Sequence, residues 1–503
     1  MDLLQNLAVG FSVAMTPANL FFALAGALIG TLIGVLPGIG PIATIAMLLP
    51  LTFHLEPTSG LIMLAGIFYG AQYGGSTTAI LVNLPGETSS VVTCIDGHQM
   101  ARQGRAGAAL AVAALGSFFA GCVSTALIAT FAPPLAIVGQ SFGAPEYFSL
   151  MVLGLIAAVV LAHGSVIKAV AMIVLGLLIG LVGTDGNTGG TRFTFGVTEL
   201  FDGIDIATLA IGVFGIGEII SNLTQPSETR SLVSAKISRL WPTGEDFRRS
   251  WPAVLRGTAL GSVLGVLPGG GATLSSFAAY ALEKKVSRNS AQFGHGAVEG
   301  VAGPESANNA GAQTSFIPML TLGIPGNAVM ALMIGALTIH GIQPGPQIMT
   351  ERPEMFWGMV ASMWVGNLML VIINLPLIGM WVQLLKVPYR FLYLSILLFC
   401  GIGVYTVSNS PSAVLLAAFF GVFGYIFMRL ECEPAPMILG FVLGPLMEEN
   451  LRRAMLISSG DPMIFIDRPI SLGLLIAAGV LLVMVALPAI HSKREEAFQE
   501  ADV

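Results

Sequence analysis

The sequence predicts an all-α polytopic membrane protein made of two inverted-topology repeats, each with a re-entrant hairpin and broken helices. Its residues are 54% hydrophobic and 10% charged, whereas soluble domains carry roughly 25% charge. Residues 34–40 read GVLPGIG, and the stretch recurs with one change as GVLPGGG at 265–271. Both copies lie inside long apolar segments, around which the hydropathy indicates about 11–12 transmembrane spans.

The proline and glycines of these two copies break any helix that contains them. Proline lacks an N–H, and glycine costs backbone entropy in a helix. In hydrocarbon, a broken helix survives only where it is buried in protein or lines a cavity. Matching breaks in the two halves of a chain therefore predict a transporter binding site near the membrane midplane.

The first part of the chain divides into a short segment and a repeat. Residues 1–17 either lie in the interface or form a first span, and the sequence leaves this open. Residues 18–221 form the first repeat, which begins with a hairpin at 20–50. Each arm of this hairpin is shorter than the roughly 20 residues needed to cross a bilayer. A broken span at 59–95 comes next, interrupted at 71–78 and 83–87, and cleaner spans follow near 107–132, 146–162, 166–183 and 203–221.

The second part begins with a polar linker at 222–256. This linker carries six Lys and Arg residues, so the positive-inside rule makes it cytoplasmic. Residues 257–450 form the second repeat, and residues 451–503 form a final span and a cytoplasmic tail. The second repeat contains a hairpin at 257–282, a broken segment at 305–341 and spans near 356–382, 391–407, 412–428 and 437–447, with the final span near 470–489.

Four motifs recur in the same order in the two halves. The first recurs from Gly34 to Gly265, an offset of 231 residues, and the Gly-Ala-Gln at 70–72 recurs at 311–313, an offset of 241. The Leu-Pro-Gly at 84–86 matches Ile-Pro-Gly after 240 residues, and Pro145 begins a motif that returns after 243. Such offsets predict an internal duplication. Each half then holds one hairpin and five crossings, and this odd number inverts one half relative to the other.

Acidic residues within apolar segments are candidates for function, because ionisable groups are costly inside a membrane. Glu87 and Glu305 adjoin the chain breaks and are candidates for binding a cation or carrying a proton. Asp205 and Glu218 lie near the ends of predicted spans, where we expect their side chains to reach water.

Several classes of protein are excluded by missing motifs. The chain has no Gly-Lys dipeptide and therefore no Walker A loop for ATP, and it has no HExxH zinc motif. Its spans contain no catalytic pair, so we expect no enzyme activity and no cofactor beyond a transported Na⁺ or H⁺. No basic patch indicates binding to nucleic acid.

Three motifs together carry a resemblance to a known family: the paired GVLPGxG stretches, YGAQYGGS at 69–76 and NLPGE at 83–87. They closely resemble the large membrane subunit of bacterial tripartite tricarboxylate transporters, and the similarity extends over residues 15–490. The resemblance implies a permease of the bacterial cytoplasmic (inner) membrane. Its partners would be a small membrane subunit with about four spans and a periplasmic solute-binding protein that delivers a carboxylate such as citrate. The resemblance also implies cation-coupled uptake, with Na⁺ favoured over H⁺, and, by analogy alone, an elevator motion.

A tricarboxylate requires many hydrogen-bond donors, and the broken segments contain no Lys or Arg. We therefore expect backbone N–H groups, hydroxyls and amides to bind it. The alternative for each hydroxyl is helix packing through a bond to a backbone carbonyl. The candidate substrate-binding residues are Gly38, Gly40, Ser76, Thr77, Thr78, Asn83, Pro85, Gly86, Gly269, Gly270, Gly271, Asn308, Asn309, Thr314, Ser315, Gly326 and Asn327.

The sequence leaves several points open. A stand-alone carrier for another organic anion or an amino acid, working without a binding protein, is the alternative function. The particular carboxylate, the choice between Na⁺ and H⁺, the stoichiometry and any homodimer stay undetermined. The orientation of loop 451–469 is also open. This topology places its three arginines on the non-cytoplasmic side of the membrane, against the positive-inside rule.

Overall fold

The structure of the protein is a computed structural model, and its described part is almost wholly helical. The described residues are 3–36, 40–161, 165–224, 240–267, 271–384 and 389–486. Among them, two strands form one short antiparallel pair, β1 (Gly183–Thr184) and β2 (Thr191–Arg192).

Three of the described helices before the central linker begin at a proline. Pro17, Pro41 and Pro57 each occupy the first turn of a helix, where their missing N–H costs nothing. The described helices before the linker are α1 (Leu3–Ala14), α2 (Pro17–Val35), α3 (Pro41–Thr52), α4 (Pro57–Val82), α5 (Val91–Thr93), α6 (Ala106–Gln140), α7 (Ala144–Leu161), α8 (Val166–Gly180), α9 (Ile206–Ala210) and α10 (Gly217–Thr224).

The described helices after the linker range in length from 4 to 23 residues. Thr243 and Asp246 form a capping box at the start of the first of them. The helices are α11 (Gly244–Val266), α12 (Gly271–Val286), α13 (Glu299–Thr314), α14 (Phe316–Leu322), α15 (Ala328–Ile339), α16 (Ile348–Glu351), α17 (Pro353–Asn374), α18 (Ile378–Leu384), α19 (Tyr389–Ser408), α20 (Pro411–Arg429), α21 (Ala435–Ile457), α22 (Ile464–Asp467) and α23 (Pro469–Ala486).

Five of the described helices are long and apolar enough to cross a bilayer, namely α2, α6, α17, α20 and the helix that runs from α9 through α10. Several shorter apolar helices accompany them. The prediction of a mostly helical, polytopic membrane protein is confirmed. Residues 1–17 contribute α1, a helix of 12 residues that packs against α17.

Each Pro-Gly stretch separates two described helices, α2 from α3 and α11 from α12. The first arm of each pair packs on the long helix that follows the pair, through glycines whose added Cβ would collide with a facing backbone carbonyl. Small residues permit this close approach of helices in membranes. On α2, facing α4, these glycines are Gly26, Gly30 and Gly34; on α11, facing α13, they are Gly257, Gly261 and Gly265.

Several helices are longer than the sequence predicts, and one of them is α6, which continues to Gln140. The predicted interruption at 71–78 is wrong, because α4 continues to Val82. Its glycines there, such as Gly74, pack against α2 and leave the helix unbroken. The chain breaks at Asn83, which has a left-handed φ of 58°. The span predicted to end at residue 447 continues to Ile457.

Ion pairs between distant segments mark the two ends of the molecule. At one end, Arg105 pairs with Asp246, and the Asp96 carboxylate accepts backbone N–H groups from residues 294, 296 and 297. At the other end of α6, Arg468 lies 3.7 Å from Glu146. Arg452 lies 3.0 Å from Asp185 at that same end. Asp185 lies there because α7 leads away from the Glu146 end and α8 leads back toward it.

These pairings explain the arginines that violate the positive-inside rule. Arg452, Arg453 and Arg468 each face a carboxylate, so the polar segment after residue 450 is held at the end opposite the linker.

We expect Asp185→Asn to lower thermal stability equally at pH 7 and pH 5. The backbone N–H of Asn187, together with Arg192 and Arg452, holds the pKa of Asp185 below its usual range. A carboxylate with a lowered folded pKa stabilises the fold above its ordinary pKa, and this contribution is lost only as the pH falls through the folded value. Thermal unfolding of the variant and of Asp202→Asn, an exposed change in the same loop, tests this. A difference that vanishes between pH 7 and pH 5 would contradict it.

Candidate functional site

A cavity of about 520 Å³ lies where four chain segments adjoining the breaks meet. Two of these segments come from before the central linker and two from after it. The remaining wall comes from α4, α5, α7, α20, α21 with the two residues before it, and the helix that contains α10. The four segments are 40–43, 85–89, 271–274 and 327–329.

Three helices begin at this cavity. Gly40 is the N-cap of α3, α12 begins at Gly271, and Asn327 is the N-cap of α15. Glu87 precedes a short 3₁₀ turn at the same place. The first N–H groups of a helix lack intrahelical partners and carry the positive end of its dipole. The cavity therefore receives hydrogen-bond donors and partial positive charge from several directions, an arrangement suited to an anion.

The charged side chains that line the cavity are all acidic. They are Glu87, Glu218 and Glu433, and no Lys, Arg or His occurs among the described lining residues. Glu218, which we expect to reach water near a span end, lines this cavity. A bound anion would meet these carboxylates, so further positive charge must enter with it or the carboxyl groups must be protonated.

A further acidic residue, besides the three that line the cavity, lies behind the cavity wall. Glu305 on α13 is 1% exposed, and its Oε2 accepts a hydrogen bond of 2.5 Å from the Ser76 hydroxyl. Its Oε1 accepts a bond from Thr93, and Glu87 accepts one from Ser89. The two carboxylates belong to one hydrogen-bonded cluster, because Ser76 and Ser89 both also contact Gln72. The described hydrogen bonds and ion pairs give neither carboxylate a basic partner.

Asn308 lies beside this pair of carboxylates. It is 0% exposed, it lies one turn after Glu305 on α13, and neither of its polar side-chain atoms has a hydrogen-bond partner among the described residues. A buried, unsatisfied polar atom costs roughly 1–3 kcal/mol. Two carboxylates, hydroxyls and an amide oxygen are the ligand types that hard cations prefer, so this cluster has the composition of a site for one cation.

The predicted site residues fall into four groups. Glu87 and Glu305 come together, as described above. Six candidates line the cavity itself, one of them the cation candidate Glu87; the other five are Gly40, Pro85, Gly86, Gly271 and Asn327. The next group is buried away from it and consists of Ser76, Thr77, Thr78, Asn308, Asn309, Thr314, Ser315 and Gly326. Gly38, Gly269 and Gly270 lie outside the described residues.

Most buried hydroxyls of the third group donate to backbone carbonyls. This is expected if they serve helix packing and not substrate binding. The Thr314 hydroxyl donates to Ala310 O at 2.9 Å and the Ser315 hydroxyl to Ala312 O at 2.7 Å. Asn83 is exposed at the end of α4 and does not line the cavity. Its left-handed backbone, which asparagine tolerates well, accounts for this residue type there.

Sequence reasoning missed part of the cavity wall. Thr88 and Thr273 come from opposite sides of the linker, and their hydroxyl oxygens lie 3.1 Å apart. Each stands one or two residues after a predicted site residue, so widening the motifs by two positions would have included both. Glu433 follows a span end, and no sequence pattern distinguishes it from an ordinary loop acid.

Apolar helices long enough to span a membrane, together with a cavity at which three helices begin, define a multi-pass membrane protein with an internal cavity. Comparison with protein families identifies the class: the chain belongs to the tripartite tricarboxylate transporter TctA family, whose model matches residues 20–439. It is thus a transporter subunit of a tripartite tricarboxylate transport system, and this is not a family of enzymes. Membership implies tripartite partners in general.

Two relatives come from Agrobacterium vitis. The chain is 59% identical over 502 residues to an uncharacterized 52.8 kDa protein in the TAR-I ttuC' 3' region, with 100% of both chains covered. It is 58% identical over 242 residues to an uncharacterized protein in the TAR-II ttuC' 3' region, covering 48% of this chain and 100% of that one. No solved structure matches the chain.

Proposed function

We propose that this chain is the permease subunit that imports a tricarboxylate or related carboxylate, such as citrate, in symport with Na⁺. The cavity carries the proposal. It presents the starts of three helices to an anion and has no basic side chain among its described lining residues. Backbone N–H groups would bind the carboxylates of the substrate, as the sequence predicts.

The substrate site we propose consists of the lining residues near the breaks. Gly40, Gly86 and Gly271 leave backbone groups accessible, and Asn327 supplies an amide. The buried candidates Asn308 and Asn309 would act behind this site, beside Glu305.

The cation would bind between Glu87 and Glu305. One Na⁺ there would offset the repulsion between the two carboxylates, and Asn308 Oδ1 would become one of its ligands. Because Glu87 also lines the cavity, the cation would lie next to the substrate and screen it from the acidic wall. Binding of each would then favour binding of the other, which is the thermodynamic requirement for symport.

We propose that residues 18–221 and 257–450 are inverted repeats. The two glycine contacts support this. Gly34 faces the carbonyl of Ala71 and Gly265 faces that of Gly311, which lies one position before Ala312, the residue that the 241-residue offset matches to Ala71. The ends of the two hairpins would then lie at opposite ends of the molecule. The first hairpin ends at Thr52, whose carbonyl oxygen lies 3.1 Å from His340 Nε2. In the second hairpin, α11 begins and α12 ends near Arg105.

An elevator motion follows from this arrangement by analogy with other secondary transporters. The block formed by α2, α4, α6, α11 and α13 packs through backbone contacts and would move as a unit. Helices α7, α8, α20 and α21 would form the static part. The cavity lies between the two groups.

The partners and location complete the proposal. The permease would lie in the bacterial cytoplasmic membrane with the linker inside, beside a small subunit of about four spans. A periplasmic binding protein would deliver the carboxylate. The charge of the loops, read with the ion pairs at the two ends, supports this orientation.

Asn327→Ala is expected to lower both stability and citrate uptake. The Asn327 side chain accepts the Met330 N–H at 3.0 Å, and losing such an N-cap costs about 1 kcal/mol. Asn327→Asp is the matched variant, because it keeps the cap but adds a negative charge to the cavity. It should retain stability and lose uptake. Thermal unfolding and uptake in proteoliposomes separate the two effects, and normal uptake in Asn327→Asp would remove this residue from the site.

The test of the proposed function is uptake of radiolabelled citrate into proteoliposomes that contain this chain and its small partner. A Na⁺ gradient, a proton gradient or neither is imposed, each with and without the binding protein. Uptake that needs both Na⁺ and the binding protein would support the proposal. Uptake without the binding protein would favour the stand-alone carrier, and uptake driven by protons alone would overturn the choice of Na⁺.

A further inference from the structure

The cavity is lined by corresponding positions of the two halves of the chain. Two lining segments correspond by the sequence offset of 231 residues, and two others by the offset of 240. The matching segments are 40–43 with 271–274, and 87–89 with 327–329. Glu87 and Asn327 form one such pair, and both are N-caps with an extended backbone, at φ of −152° and −157°. The cavity therefore has two sides that are built alike and can be compared residue by residue.

Each side of the cavity joins elements from both halves. On one side, α12 packs against the 3₁₀ turn Thr88–Ser90. On the other side, α3 packs against α15. These two contacts correspond under the offsets, because each joins the second helix of one hairpin to the element that follows the break in the opposite half.

Among these matching residues, hydroxyl groups occur on one side alone. Thr88 and Thr273 lie there, and their hydroxyl oxygens are 3.1 Å apart in an exposed contact. The corresponding residues on the other side are Ala328 and Ile42, which also line the cavity. The cavity thus presents a hydroxyl pair on one side and an apolar pair at the matching place on the other.

The two threonine hydroxyls retain capacity for a further hydrogen bond. Within the pair one hydroxyl donates to the other, which leaves one donor hydrogen and acceptor lone pairs for a ligand. The neighbouring Ser89 hydroxyl is already engaged by Gln72 and Glu87. A hydroxyl on a ligand can both accept from the threonine pair and donate to it, whereas an ionised carboxylate can only accept and would lie beside the carboxyl group of Glu87.

We propose that Thr88 and Thr273 bind a hydroxyl group of the substrate, so that the cavity selects a hydroxycarboxylate over the analogue that lacks the hydroxyl. This rests on the proposed function and names the substrate class for the same cavity. The substrate carboxylates lie at the helix starts, its hydroxyl lies at the threonine pair, and its methylene groups lie against Ile42 and Ala328. A site that bonds a substrate hydroxyl rejects the analogue without it, because part of the site's own hydrogen-bonding capacity then stays unused.

The test is equilibrium binding to the purified complex of this chain with its small partner, in Na⁺ and without the binding protein, so that the cavity alone selects the ligand. Radiolabelled citrate is displaced by unlabelled citrate or by tricarballylate, which is citrate without its hydroxyl group. One net hydrogen bond is equivalent to about tenfold in affinity. Wild type should therefore prefer citrate to tricarballylate by about that factor.

Three variants of the threonine pair and one control locate the source of this preference. Valine keeps the shape of threonine and removes the hydroxyl, so the double variant Thr88→Val with Thr273→Val should raise the Kd for citrate to that for tricarballylate. Thr88→Val alone should lose part of the preference, and Thr88→Ser, which keeps the hydroxyl, should retain it. Thr130→Val is the control, because the Thr130 hydroxyl donates within its own helix to Ala126 O at 2.9 Å.

The second ligand separates loss of this contact from damage to the fold. Loss of the contact weakens the binding of citrate alone, whereas a damaged fold weakens both ligands. Equal weakening of both ligands in the double variant, or a preference that it retains in full, would overturn the inference. Equal binding of both ligands by wild type would also overturn it and would leave the proposed function standing.

A second pair of ligands guards against a wrong choice of carboxylate. Malate and succinate also differ by one hydroxyl, and they replace citrate and tricarballylate in the same comparison if wild type binds neither of those. Absence of binding by every one of these carboxylates would overturn the proposed function and this inference with it.

Discussion

Gly86→Ala is expected to destabilise the protein by at least about 3 kcal/mol and to abolish uptake. An added Cβ would lie 2.6 Å from the Gly75 Cα and closer still to the Gly34 carbonyl oxygen. Both atoms are backbone atoms of packed helices, so neither can move away without separating α2 from α4. Inserting atoms into a packed core usually costs 1–3 kcal/mol, and a clash with backbone lies at or beyond the upper end.

Gly326→Ala is the matched control. Gly326 occupies the corresponding Pro-Gly position in the second half, 240 residues later, but its added Cβ would meet atoms only at 3.8 Å or beyond. Those are ordinary van der Waals distances, so the variant should unfold at nearly the wild-type temperature. Thermal unfolding in detergent compares the two. Equal stability of the two variants would contradict the close contact at Gly86.

Glu305→Gln is expected to remove the Na⁺ dependence of uptake and to lower the uptake rate by roughly a hundredfold. The exchange keeps the shape of the side chain and an oxygen that can accept from Ser76. It removes one of the two negative charges that would hold the cation, and interactions with a charged group contribute about 1.5–3 kcal/mol. Uptake is measured over a series of Na⁺ concentrations at saturating citrate.

Ser306→Ala serves as the control for this variant. Ser306 is the next residue on the same buried helix, and its hydroxyl donates to Ala302 O at 2.7 Å, away from the two carboxylates. It should retain wild-type uptake and Na⁺ dependence. Uptake by Glu305→Gln that still rises with Na⁺ as in wild type would show that the coupling cation binds elsewhere.

The helices and the breaks near prolines could be predicted from the sequence, because each depends on local chemistry. Pro85 and Gly86 end one helix whatever surrounds them. The predicted break at 71–78 failed for a tertiary reason: a glycine-rich stretch has the same composition whether it interrupts a helix or lets another helix approach it. The contact with α2 decides which, and it involves residues about 40 positions away.

The site could be predicted only in part, for a related reason. Proximity to a break identified Glu87 and Asn327, since such residues lie at helix ends by necessity. Glu218 lies within an ordinary apolar span, and only the folding of distant segments around the cavity places it in the cavity wall. Conversely, Thr314 and Ser315 have the right composition and the right sequence neighbourhood, but their hydroxyls point to their own helix.

The complete burial of α13 has a consequence for how the protein is made. Every residue of this helix is buried, and it contains Glu305, Asn308, Asn309 and Gln313, which are costly to place in lipid. The nascent helix is therefore a poor substrate for the insertion machinery on its own. It is expected to enter the membrane only against α4 and α6, which are synthesised first, so that the earlier half of the chain acts as the template on which the later half is inserted.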